Sequence, residues 1–373
     1  MTAQTLGVGI IGYGFMGRAH SNAYQQIRRA FWPLSPDVRL VGIAGRSQPA
    51  VAAAAARFGF ARYETDWHRL IADPEIDVID ICAWHDVHAP AALEALRAGK
   101  HVLCEKPMAL NVDDARAMRD LAAETGRANR VAFNYRFAPA VVMARRLVAD
   151  GSLGEINHVR ISYLQGSLAD AAAPYPWDDR TTGALYNLGS HAIDLARYLV
   201  GEPRSVSGFV RNVHPMRPLR GDPGRIAPID LDDVVVASLR FDNGALGSLE
   251  VSWVAAGRKN NLTFEVNGSA GSVYWDLEDL NRLHVSRPGG RGFEDILVTE
   301  PTDPFLEGWW PPGHILGWEH LHANLILEFL RAIGSEPMSE SLGATFEDGY
   351  RVAVITEAIQ ESSRSGRSVE IAY

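Results

Sequence analysis

The chain is short of cysteine: Cys82 and Cys104 are the only two in 373 residues, and both lie in apolar runs. No disulfide framework is possible on that count, and both thiols are expected to be buried and inert. No stretch reaches the roughly 18 consecutive apolar residues of a membrane span, so no membrane partner is expected. Residues 1–6 are polar and lack the charged-then-apolar pattern of a secretory signal, which points to a cytoplasmic protein. Basic residues are outnumbered 36 to 45, for a net charge of −9. They fall in scattered doublets such as Arg28-Arg29 and Arg145-Arg146. That pattern offers no stripe to track a phosphate backbone, which argues against a nucleic-acid partner. No internal repeat is visible. With 47% hydrophobic and 22% charged residues, the remainder is an ordinary globular composition, long enough for about two domains of roughly 150 residues.

The most informative stretch reads Val8-Gly-Ile-Ile-Gly-Tyr-Gly-Phe-Met-Gly-Arg-Ala-His20. Gly12, Gly14 and Gly17 fit G-x-G-x-x-G between a short apolar run and a helix-compatible segment. Gly12 permits the tight turn, Gly14 lets the backbone approach a pyrophosphate, and Gly17 lets the helix pack on the sheet. Tyr13, Phe15 and Met16 complete the loop that would line the cofactor. Without a ligand, the same stretch would simply be a strand-to-helix turn.

Short apolar runs at 8–11, 38–44, 78–83, 102–104 and 131–133 alternate with helical segments at 17–29, 47–58, 67–72, 89–98 and 112–124. That rhythm predicts an α/β Rossmann fold, a doubly wound parallel sheet, over residues 1–133. From residue 134 to 373 the pattern predicts an α+β domain, a mainly antiparallel meander with helices on one face. Its helices are expected at 138–149, 190–198, 315–333 and 344–363, the last packing back on the first domain. Asn243-Gly244 and Asn267-Gly268 read as hairpin turns. Residues 211–230 and 286–313 read as loops.

A carboxylate at the end of the second strand would bind adenosine ribose and repel a 2′-phosphate. The run here ends Gly45-Arg46-Ser47, so the carboxylate is absent. Arg46 and Ser47 suit a 2′-phosphate, which favours NADP slightly over NAD. In the alternative, Arg46 stacks on adenine. At 105–107, Glu105-Lys106-Pro107 ends a strand-like run, where a parallel sheet lines its ligand crevice. An ammonium there favours the alkoxide of a substrate hydroxyl, and burial brings its pKa closer to working range. A lysine of this kind is otherwise a solvated surface charge. Asn187 and His191 are four apart and would share a helical face. His191 suits proton transfer near neutral pH, and Asp194 is either a supporting group or a surface charge.

Four elements in order, Gly12 to Gly17, Glu105-Lys106-Pro107, Phe133-Asn134-Tyr135-Arg136 and Gly183 to Asp194, resemble the Gfo/Idh/MocA oxidoreductases. The resemblance spans the first domain and the start of the second. It implies NAD(P)-dependent hydride transfer at a hydroxyl or ketone of a sugar, cyclitol or glycoside. It also implies a large open, mainly antiparallel sheet over residues 134–373 for substrate and oligomer contacts, a homo-oligomer (dimer or tetramer), and Lys106 and His191 as the catalytic pair. Much of the family carries Asp where this chain has Asn187. Its usual Thr-Pro-Asn/Thr stretch is here Ala83-Trp84-His85-Asp86, which places Ala83, Trp84, His85 and His88 beside the cofactor with Glu105 and Lys106. The substrate set is Lys106, Tyr135, Arg136, Gln165, Asn187, His191, Trp309 and His314. Trp309, Trp310 and Trp318, with His314, Glu319, His320 and His322, suit sugar stacking, unless the indoles fill a core or a subunit contact. Glu319-His320-Leu321-His322 has the wrong spacing for a metal, and 85–88 lacks a partner cluster, so no metal is expected. Two other readings share this resemblance: cofactor-assisted elimination without net redox, and a non-enzymatic NAD(P) sensor.

Overall fold

The computed structural model describes residues 5–174, 182–219, 222–334 and 342–373. Residues 1–4 of the polar opening stretch therefore lie outside the described residues, as do 220 and 221 of the expected loop. The chain divides into two compact units. One comprises Met1–Phe137, Phe305–Trp310 and Leu316–Tyr350, and the other Ala138–Pro304, Pro311–Ile315 and Arg351–Tyr373.

In the first unit, β1 (Thr5–Ile11), α1 (Phe15–Ala30), β2 (Asp37–Ala44), α2 (Gln48–Phe58), β3 (Arg62–Glu64), α3 (Trp67–Ala72), β4 (Val78–Ile81), α4 (His85–Arg97), β5 (His101–Cys104), α5 (Val112–Thr125) and β6 (Asn129–Val131) alternate. The six strands are all parallel, in the order β3-β2-β1-β4-β5-β6. This is the doubly wound dinucleotide-binding order, whose ligand crevice lies at the carboxyl ends of the strands. Val8, Val41, Ile43, Val78, Ile79, Val102 and Leu103 are fully buried, as strands covered on both faces must be. Gly59 (φ 81°) and Gly126 (φ 62°) end α2 and α5 in the left-handed region. Asn111 caps α5 by accepting the N–H of Asp114 at 2.7 Å.

The second unit begins with α6 (Pro139–Ala149), β7 (Ile156–Leu164), α7 (Ser190–Val200) and β8 (Pro203–Arg211). The hairpin β9 (Met216–Leu219) and β10 (Asp222–Pro228) follows, then β11 (Val234–Phe241), β12 (Leu246–Ser252), β13 (Asn261–Gly268), β14 (Ser272–Asp276), β15 (Arg282–Ser286) and β16 (Glu294–Leu297). Its nine-stranded sheet runs β16-β15-β14-β13-β7-β12-β11-β8-β17, where β17 is Val369–Glu370. Among the described residues, only the β7–β12 pairing of this sheet is parallel. Alternation of buried and exposed residues along β11 and β12 leaves one face uncovered within this unit. On the covered face, Trp275 stacks on Phe264 at 5.5 Å and donates its indole N–H to Leu280 O.

Four expectations need correction. First, the division is not a single cut near residue 133. Helix α8 (Trp318–Ile333) belongs to the first unit, where Glu328 accepts from Nε and Nη2 of buried Arg130, at 2.8 and 2.7 Å. Helix α9 (Phe346–Ser365) crosses the division, with its first turn in the first unit and the rest in the second. Second, residues 211–230 are not all loop. Antiparallel pairing of Ile226–Pro228 with Met216–Pro218 satisfies backbone groups there. Third, residues 286–313 contain β16, whose register against β15 covers four pairs. Fourth, Asn267-Gly268 is not the centre of a turn. Gly268 still pairs with Ile156, and a Cβ on it would collide with the Leu153 carbonyl. Close approach of backbone demands that glycine.

Candidate active site

The glycine loop in the first unit has the geometry a pyrophosphate requires. Gly12 sits at φ 106°, where a side chain is strained, and its N–H bonds Ala44 O at 2.9 Å. A Cβ on Gly17 would strike the Gly12 carbonyl, so these two glycines serve the fold. Gly14 does not. Its φ of −71° suits any residue, and a Cβ there would meet nothing within 4 Å. It is the N-cap of α1, whose first turn carries no acidic residue and whose cap uses no side chain. Open space over unpaired helix N–H groups is what a dinucleotide phosphate fills.

Around the loop, the Tyr13 ring rests on Gly45. Phe15 is 60% exposed and stacks on Trp318 at 5.4 Å, and Met16 is half-buried. Arg46 and Ser47 are exposed at the end of β2. Ser47 is the N-cap of α2, yet its hydroxyl makes no capping bond, and Arg46 makes no ion pair recorded among the described residues.

Ala83 and half-buried Trp84 and His85 open α4. His88, expected beside the cofactor, packs within the first unit. The ring is fully buried, with Nδ1 2.9 Å from Pro107 O and Nε2 3.3 Å from Ala83 O. Burial lowers its pKa, so it is neutral. It pins the turn that follows Lys106. The ammonium of Lys106 is lowered in pKa by burial, opposed by the Glu105 charge, which is the direction proton exchange at neutral pH requires.

Beneath that turn lies a cluster of buried side chains that the sequence reading missed. His20 of α1 donates through Nδ1 to Asp80 of β4 at 2.9 Å, and its Nε2 is 3.0 Å from Glu105 Oε1. Tyr24 of α1 and Cys82 pack against Asp80, and the Cys82 thiol is raised in pKa by burial and the Asp80 charge. His322 of α8 is 1% exposed, and its ring lies 5.2 Å from that of His20. Burial and the His20 charge push its pKa down to about 3. The sequence did hold a signal: a charged residue inside the apolar run Val78-Ile79-Asp80-Ile81 must find a partner.

Tyr135 and Arg136 are buried in a 3₁₀ turn, Asn134–Phe137. Arg136 lies 3.3 Å from Asp348, so its guanidinium ties α9's first turn to that segment instead of standing open to substrate. The aromatic group divides between the units. Trp309 packs edge-on against Phe31 and His320 and donates to Asn324 at 2.8 Å. Trp310 is 50% exposed, and Trp318 covers His322. Exposed His314, in the second unit, lies with Nδ1 2.8 Å from Pro311 O.

In the second unit, Asn187 and His191 do not sit on one regular α-helix. Leu185–Gly189 forms a π-helical turn that runs into α7, a distortion frequent at functional sites. His191 is buried 6.0 Å from the ring of Tyr163. The Tyr163 hydroxyl and the Gln165 amide both donate to Asn260 Oδ1, at 2.8 and 2.7 Å. Asp194 is 1% exposed and so is not a surface charge. Asp232, unnoticed in the sequence, accepts the Leu185 N–H at 2.6 Å. Burial raises its pKa to about 6 despite that bond.

A parallel sheet in this order, with an open glycine cradle at its carboxyl edge, defines a dinucleotide-dependent oxidoreductase. Residues 6–133 match the oxidoreductase family with an NAD-binding Rossmann fold, and residues 141–274 match the GFO/IDH/MocA C-terminal domain. The chain belongs to the Gfo/Idh/MocA oxidoreductases. It is 38% identical to levoglucosan dehydrogenase of Pseudarthrobacter phenanthrenivorans, over 99% of this chain and 98% of the relative. It is 28% identical to inositol 2-dehydrogenase of Rhizobium meliloti, over 99% of this chain and all of the relative. The solved structure of a levoglucosan dehydrogenase complex with NADH and levoglucosan superposes with a TM-score of 0.92 at 38% identity, covering 99% of this chain and 100% of that one. Among the described residues, no helix is long and apolar enough to cross a membrane.

Proposed function

We propose that this chain oxidises a secondary hydroxyl of a sugar, cyclitol or glycoside, with Lys106 and His191 handling the proton. The observation that carries the reading is Gly14: the protein itself gives no reason for a glycine there, whereas a pyrophosphate does. When bound, the nicotinamide accepts the hydride. An ammonium of lowered pKa at Lys106 stabilises the alkoxide that develops on the substrate oxygen. The imidazole of His191 suits acceptance of its proton, and the Asn187 amide suits hydrogen bonding to a neighbouring hydroxyl. The levoglucosan and inositol activities of the relatives support the substrate class. The exposed Arg46, the uncapped Ser47 hydroxyl and the missing carboxylate after β2 support acceptance of NADP⁺ as well as NAD⁺.

The test is dinucleotide reduction by the purified protein with a panel of anhydrosugars, inositols, aldoses and glycosides. We expect turnover on at least one, abolished by orders of magnitude in Lys106→Ala with cofactor affinity kept. Arg46→Asp should raise the KM for NADP⁺ by about tenfold or more and leave that for NAD⁺ within a few-fold. Binding of dinucleotide without reduction by any alcohol in the panel would overturn the dehydrogenase reading.

A further inference from the structure

Glu105 is shared between two partners. One oxygen, Oε1, is 3.0 Å from Nε2 of His20, and the other, Oε2, accepts the backbone N–H of Lys106 at 3.1 Å. The far nitrogen of His20 is held by both oxygens of Asp80, at 2.9 and 3.0 Å. All three side chains are buried. We propose that Asp80, His20 and Glu105 form a buried relay that fixes the Lys106 main chain and presents one negative charge to its ammonium, so that His20 is a positioning residue for Lys106. This inference rests on the assignment of Lys106 as the proton-handling group.

The chemistry of the three groups supports the relay. An imidazole with a carboxylate at each nitrogen is stabilised as the doubly protonated cation. Burial works against that charge, but the Asp80 charge and hydrogen bond overcome it and hold the His20 pKa well above its ordinary value. Glu105 in turn stays ionised, although burial alone would raise it, because the His20 ring 3.0 Å away lowers its pKa. The groups facing His20 are Asp80 and Cys82 from the β4 end, Tyr24 from α1, Glu105 from the β5 end and His322 from α8. His322 is neutral, so the cluster of Asp80, His20 and Glu105 carries one net negative charge.

A divalent metal is the competing occupant, since His20, Glu105 and His322 offer ligand atoms within 4.8 Å of one another. Metal binding needs a lone pair on His20 Nε2, which a doubly protonated ring lacks. The Lys106 ammonium, whose charge also reaches His322, repels a second cation there.

The chain has only three lysines, Lys100, Lys106 and Lys259, so ¹³Cε-lysine labelling resolves Lys106 directly. The Lys106→Met spectrum assigns its signal. Titration by NMR is expected to show the Lys106 pKa falling by about one unit or more in Glu105→Gln, because a neighbouring negative charge is lost. His20→Gln should give a similar fall, because Glu105 then protonates in its dry site, and the double variant should add nothing further. An unchanged Lys106 pKa in folded His20→Gln would overturn the relay. Should that variant fail to fold, ¹⁵N-histidine spectra of the unaltered protein still decide: His20 doubly protonated at pH 7 is expected, and a neutral ring refutes it. Stoichiometric metal in the purified protein, lost in His322→Ala, refutes it as well. None of these readouts needs turnover. Normal turnover by Lys106→Met would remove the catalytic assignment alone, whereas a dead Lys106→Met with unmoved titrations would remove the relay alone.

Discussion

The imidazole of His88 lies with Nδ1 2.9 Å from the carbonyl of Pro107, tying α4 to the turn that follows β5. The neutral ring has a single N–H, and the shorter contact at Nδ1 identifies its acceptor as Pro107. His88→Ala should strand the Pro107 carbonyl in a dry site. The expected loss is about 1–3 kcal/mol of stability, as for other buried acceptors left unpaired. Urea denaturation measures it, and an unchanged midpoint would show that the ring does not hold the Pro107 turn.

The glycine loop separates ligand from fold. Gly17→Ala drives a methyl into the Gly12 carbonyl and should lower the melting temperature. Gly14→Ala meets nothing in the protein, so its melting temperature should stay near that of the parent while dinucleotide affinity falls tenfold or more. Calorimetric unfolding and isothermal titration with NADH together check the pair. Equal destabilisation by both would mean that Gly14 also serves the fold.

Acid should unfold the protein partly through His88 and His322. Both rings stay neutral when folded, since burial lowers their pKa values, to about 3 for His322. The unfolded chain protonates them below about pH 6.5, so it binds more protons and stability falls as pH drops through that value. His20 runs the other way: its raised pKa stabilises the fold fully below pH 6.5, and that contribution is lost only as pH rises through its folded value. Between pH 7 and 5, His322→Gln should lose roughly 2 kcal/mol less than the parent. Urea midpoints at the two pH values give the comparison.

Asp232 reverses the usual carboxylate behaviour. Its pKa of about 6, raised by burial and by the Asp233 charge against the Leu185 N–H bond, exceeds the unfolded value of 3.8. The folded state then holds the extra proton between about pH 4 and 6, and stability falls as pH rises across that window. Asp232→Asn keeps an acceptor for Leu185 and should flatten that part of the stability curve. Retention of the full slope would assign it to another group.

Local patterns carried much of this reading. The glycine spacing, the buried βα rhythm and the Glu105-Lys106-Pro107 step each depend on neighbours in sequence, and each reappears in the fold. Sites assembled from distant residues were harder to see. His20 pairs with Asp80 sixty positions on, and Arg130 pairs with Glu328 across 198, so neither bond leaves a local pattern. The burial of His88 was not legible either, because spacing does not reveal which way an α4 side chain faces. The hairpin of β9 and β10 was hidden by proline and glycine, which usually signal loops and here flank paired residues.

The first unit is assembled from three separated stretches of chain, the last ending at Tyr350. A ribosome that has released Phe137 has finished the parallel sheet but not α8, which brings Glu328 to Arg130 and His322 to the His20 cluster. The roughly 200 residues still to come take on the order of 10–40 s to synthesise. During that interval Arg130 and the His20 cluster stand without the cover that α8 later lays over them.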